Sequence, residues 1–126
     1  MLSLFGQSRT VCGTGGRLRA AMGMIDWLRM AELRDEIGQD GFDEVVDVFL
    51  EEAGEVVIRL DRGPTLEDLH FLKGSALNLG FVAVAQLCQE GERLLAAGGR
   101  PDPQPIAAAF RAAREAVLTA RAARAA

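Results

Sequence analysis

Between residues 26 and 123 apolar side chains recur every three or four positions, and glycines cut that recurrence into five pieces. The cuts fall at Gly38, Gly63-Pro64, Gly80 and Gly98-Gly99. No stretch alternates with the period of a strand, and no internal repeat is visible. A chain patterned in this way folds as helices packed on helices. The first helix is expected over about 26–37, with Asp26 as N-cap and Gly38 as stop. The second is expected over about 41–61, burying a stripe of Phe42, Val45, Val46, Phe49, Ala53, Val56, Val57 and Leu60. The third opens at Thr65, where Asp68 three positions on approximates a capping box, and runs to Leu79. The fourth covers about 82–97. Pro101, Pro103 and Pro105 stiffen the last connector, and the final helix covers about 105–123 with Ile106, Phe110, Ala113 and Val117 inward. Short loops make sequential helices antiparallel neighbours. The predicted fold is therefore all-α, an up-and-down antiparallel four-helix bundle with a short additional N-terminal helix across one end.

The domain assignment follows from this pattern. Residues 24–126 form the bundle, and residues 1–23 are read as an extension without a fold of its own. Three arginines and no acid in that extension faintly suggest a transit peptide. Met24-Ile25-Asp26-Trp27 as a natural start is the stronger reading. Composition narrows the partners. The net charge is −4, which disfavours nucleic acid, and no apolar run reaches the length of a membrane span. Charge is polarised: residues 24–64 hold twelve acids and four bases, and residues 110–126 hold four arginines and one glutamate. That distribution suits polarised docking to another protein. Cys12 and Cys88 share no metal-ligand spacing with the single histidine, and reduced thiols in a cytoplasmic protein are expected.

The chemistry concentrates in the third helix. His70 is the only histidine and Lys73 the only lysine; the other thirteen basic residues are arginine. At 3.6 residues per turn, positions three apart share a helix face. On a helical wheel Leu69, Leu72, Ala76 and Leu79 form the core stripe. Leu66, His70, Lys73, Gly74 and Leu77 fall on a second arc, which mixes apolar docking surface with one imidazole and one ammonium. An imidazole is the side chain that is nucleophilic near neutral pH without a separate base. An ammonium holds phosphoryl oxygens as a point charge. Glycine inside a helix costs about 1 kcal/mol relative to alanine, so Gly74 asks for a reason, and clearance for a phosphoryl group supplies one. Glu67, three residues before His70, is placed to orient the ring through Nδ1. A lone helical histidine is more often an ordinary surface residue; the spacing His-x-x-Lys-Gly is what raises His70 above that.

The run His70-Phe71-Leu72-Lys73-Gly74-Ser75-Ala76-Leu77-Asn78-Leu79-Gly80 resembles the signature of histidine-containing phosphotransfer (HPt) domains, the carriers of multistep two-component relays. Leu87-Cys88-Gln89-Glu90-Gly91-Glu92 is similar to that family's Leu-Cys-x-x-Leu-Glu pattern. The resemblance covers about residues 24–120. It implies that His70 is the phosphoryl acceptor, Lys73 the phosphate-stabilising residue, Gly74 the clearance position and Gly80 the turn into the next helix. It further implies that a receiver domain, alone or within a hybrid histidine kinase, docks on the Leu66/His70/Leu77 face and brings the magnesium. The chain itself is expected to need no cofactor and no metal. Gly91 departs from the family's usual leucine and is expected to loosen a core layer.

No ATP-binding loop is present, so the expected protein is a phosphate carrier and not an autonomous kinase. Two competitors come from other classes. One is an adaptor that binds a receiver or another signalling protein through the same face without being phosphorylated. The other is a haem or metal bundle, which lacks a second strong ligand to face His70. Acidic residues of the second helix are read as a solvated face and not a metal site. A monomer is expected, because the bundle can bury its own stripes.

Overall fold

Asp26 accepts a hydrogen bond from the Arg29 backbone N–H at 3.1 Å and so caps the helix that begins at Trp27. A computed structural model describes residues 25–125. The predicted extension at residues 1–23 and Cys12 lie outside the described residues. Four helices follow one another: α1 Trp27–Leu60, α2 Leu66–Leu79, α3 Val82–Ala96 and α4 Gln104–Ala125. The two helices expected on either side of Gly38 abut without a loop. The break between them is nevertheless present, because Gly38 leaves helical geometry at φ 84°, ψ 161°. The left-handed region is open to glycine at little cost. Residues 27–37 thus form the short N-terminal helix, and residues 39–60 the first long member of the bundle.

The helices make an up-and-down antiparallel bundle, with α2 packed on α1 and α3, and α4 packed on α1 and α3. The axial core is aromatic at its centre. Phe49 of α1 meets Phe81 edge-on at 5.1 Å between ring centroids and Phe110 of α4 at 6.3 Å. Leu60, Leu69, Leu72, Ala76, Val84, Cys88 and Ala113 are fully enclosed around them. The expected α2 stripe and the expected inward set of α4 are all buried. Burying one such leucine stabilises the fold by about 1.5–3 kcal/mol. Val45 corrects the expected α1 stripe: it is 42% exposed and lies at the edge of the packed face, where the stripe is narrower than eight residues.

Both ends of α2 are fixed by sequence-local devices. Thr65 Oγ1 accepts from the Asp68 N–H at 3.1 Å. Asp68 does not complete a reciprocal box; its carboxylate takes Arg59 Nη2 at 2.9 Å and ties the start of α2 to the end of α1. Gly80 ends α2 at φ 84°, with Phe81 N–H returning to Ala76 O at 2.7 Å. A Cβ at Gly80 would stand 2.7 Å from Asp26 O. The N-terminal segment packs against that same end, where Asp26 N–H donates to Gly80 O and Arg29 Nε donates to Asn78 O at 3.1 Å.

The charge polarity read from the sequence is partly satisfied within the chain. Arg121 Nη1 bonds Asp47 at 3.0 Å, and Arg124 Nη2 bonds Asp43 at 3.1 Å. The basic end of α4 therefore serves α1 as well as any partner. Exposed pairs of this kind stabilise by less than about 1 kcal/mol each. Glu44, Glu51, Glu52 and Glu55 remain exposed. No helix of the described residues is long and apolar enough to cross a membrane.

Candidate functional site

His70 stands one turn into α2, between the buried positions Leu69 and Leu72, and its side chain is 77% exposed. Leu66 and Leu77, on the same arc, are 55% and 57% exposed, so two leucines flank the imidazole at the surface. Gly74 is exposed, and a Cβ built there meets nothing within 4 Å. No packing inside the molecule calls for glycine at this position. The surface one turn above His70 is simply kept low.

Lys73 points toward α3. Its Nζ donates to Glu92 Oε1 at 3.0 Å, with the two side chains only 23% and 17% exposed. The second oxygen, Oε2, lies 3.6 Å from His70 Nδ1 and is enclosed without a hydrogen-bond partner. At that length the contact is an electrostatic one and not a formed hydrogen bond. A carboxylate beside Nδ1 favours the tautomer with the proton there, which leaves the lone pair on Nε2. The arrangement thus presents an exposed ring nitrogen, a nearby ammonium and an open approach over Gly74.

Glu92 is the residue that sequence reasoning missed. It corrects the ring-orienting role expected of Glu67, which is exposed and bonds no group of His70 among the described residues. Proximity on one helix suggested Glu67; the packing of α3 on α2 supplies Glu92 from twenty-two residues further on. The final glutamate of the Leu-Cys-x-x-Leu-Glu pattern was its only sequence signal. Phe71, 40% exposed beside His70, also adds apolar surface to this face. Gly80 sits at the end of α2 and takes no part in the exposed face.

Gly91 corrects a second expectation. The layer is not loosened, because Leu69 Cδ1 lies 3.0 Å and Pro101 Cβ 3.5 Å from where its Cβ would be. Those neighbours occupy the space that a leucine would fill. Beneath it Cys88 is fully buried, and burial pushes its thiol up to about 12, with Glu92 adding to the shift and Lys73 opposing it. Among the described residues no three His, Cys, Asp or Glu side chains cluster to hold a metal ion.

An exposed helical imidazole thus stands beside a lysine–glutamate pair on a leucine-lined bundle face. The Hpt domain family model matches residues 44–120, which takes in the second part of α1, all of α2 and α3 and most of α4. The chain belongs to the Hpt domain family, whose members act in phosphorelays. No curated protein and no solved structure matches the chain.

Proposed function

We propose that His70 accepts a phosphoryl group from the aspartyl phosphate of one receiver domain and hands it to the aspartate of another. In the forward step Nε2 attacks phosphorus in line, the P–N bond forms, and the P–O bond to the aspartate breaks. The donor leaves as a carboxylate. The ring keeps its proton on Nδ1 and becomes cationic, and Glu92 stabilises that charge from 3.6 Å. Lys73 draws the phosphoryl oxygens, and Gly74 leaves room for the receiver's acidic loop. Magnesium belongs to the receiver, whose carboxylates would bind it. Leu66, Leu77 and Phe71 supply the apolar contacts of docking, with Glu67 at the rim.

One observation carries the reading above the alternatives. A single carboxylate, Glu92, touches both the only lysine and the only histidine of the chain, and the histidine is exposed. An adaptor needs the leucines but has no use for that triad. The carrier works as a monomer in the cytoplasm, where receivers and hybrid kinases present their phosphorylated domains.

The test is phosphoryl transfer from phosphorylated receiver domains to this protein, with His70→Gln run in parallel. Acid-labile, base-stable label on the wild type alone is expected. Equal label on both proteins would move the acceptor elsewhere. Absence of label across a panel of receivers that still bind the folded protein would make it an adaptor.

A further inference from the structure

The break at Gly38 turns residues 27–37 back over the bundle, and the elbow encloses a cleft apart from the phosphotransfer face. The cleft measures about 210 Å³ and lies between α1 and the last turns of α4. Its wall is apolar: Trp27, Met30, Phe42 and Val46 from α1 and Val117 and Ala120 from α4. Phe42, Val46 and Val117 are buried core residues, whereas Trp27 is 46% exposed at the mouth. Neither α2 nor α3 contributes to it.

Its polar lining is cationic. Arg34, Arg121 and Arg124 line the cleft with a single carboxylate, Asp43. Asp43 is already matched, by Arg124 at 3.1 Å and Arg121 at 3.8 Å. Asp47 takes the other face of Arg121 at 3.0 Å. Three guanidinium groups against these two carboxylates leave one positive charge over. The excess falls on Arg34, which is half-buried and held by no ion pair or side-chain hydrogen bond among the described residues. A partly buried guanidinium without an acceptor is costly and is ordinarily satisfied in a native structure.

We propose that this cleft binds a small amphipathic anion, an acyl or aryl body carrying one acidic headgroup. The body packs against Trp27, Met30 and Val117. The headgroup accepts from Arg34, whose planar donors suit a carboxylate or phosphate. A mostly apolar pocket with a few convergent polar groups is the usual form of such sites.

Trp27 is the only tryptophan, so its emission reports on this cleft alone. The full chain is titrated with octanoate, with octan-1-ol and sulfate as body-only and head-only controls. A saturable blue shift with octanoate, at least about tenfold weaker with octan-1-ol and absent with sulfate, is expected for an ionic headgroup contact. Arg34→Met keeps the stem, breaks no pair, and is expected to weaken octanoate by a similar factor. Arg111→Met, on the exposed side of α4, leaves binding unchanged. Absence of a saturable shift overturns the site. Equal binding of octan-1-ol, or full affinity in Arg34→Met, reduces it to an apolar gap and overturns the anion reading.

Discussion

Lys73 Nζ and Glu92 Oε1 meet at 3.0 Å, and this pair joins α2 to α3 beside the exposed imidazole. The pair holds the lysine's long stem in one place at a cost in side-chain entropy. It also holds the carboxylate 3.6 Å from His70 Nδ1.

Glu92→Gln keeps the side chain's size and removes its charge. The charge-assisted hydrogen bond from Lys73 contributes about 1.5 kcal/mol, so transfer to His70 is expected to slow about tenfold. Nitrogen NMR of the ring should show the Nδ1–H tautomer losing population. Unchanged transfer and an unchanged tautomer ratio would remove Glu92 from the site.

Gly74→Ala separates stability from activity. Its Cβ meets nothing within 4 Å, so the helix gains about 1 kcal/mol and the urea midpoint rises. Transfer from a receiver should fall in the same protein. A variant that is more stable and equally active would show that Gly74 clears the way for nothing.

Gly91→Leu, the residue usual in the family, is expected to destabilise this protein by about 1–3 kcal/mol through overpacking. The added side chain would drive into Leu69 Cδ1, which already stands 3.0 Å from the Cβ position. Denaturant unfolding measures it. Combining the change with Leu69→Ala should recover part of the loss, and strict additivity of the two would count against direct contact.

Cys88 gives a pH dependence with a definite sign. An unfolded thiol ionises near 9.0, whereas in the fold burial holds it protonated up to about 12. Between those values the unfolded state binds fewer protons, so this contribution to stability is whole below pH 9.0 and declines as pH rises toward 12. In a Cys12→Ser background, urea midpoints at about pH 8 and about pH 10.5 should differ more for Cys88 than for Cys88→Ala. The same thiol should resist aromatic disulfide reagents until the protein unfolds. Rapid labelling of the native protein would contradict its burial.

The helices were legible because their signals are local. Thr65 and Gly80 act on backbone groups within one turn, and the α2 stripe follows from spacing alone. Gly38 was legible as a break, but not the absence of a loop behind it, since a single left-handed residue suffices to redirect the chain. Val45 was misassigned because spacing gives a stripe's direction and not its width. The arc of His70, Lys73 and Gly74 needed one helix to see. Glu92 and the crowding at Gly91 needed two, and the rotation of α3 against α2 is written in the summed packing of Leu69, Cys88 and Pro101. The Arg34–Arg121 cleft lay further from reach, because it joins side chains from opposite ends of the sequence.

Because α2 and α4 stand at opposite corners and their backbones do not meet, the molecule divides into two halves around one core. The imidazole face is built by α2 and α3, and the arginine cleft by α1 and α4. They share no helix, only the interior where Phe49 packs on Phe81 and Phe110. A visitor on one half leaves the other half's surface bare. This small bundle is thus two-sided in the way a coin is, with each face open to its own reader.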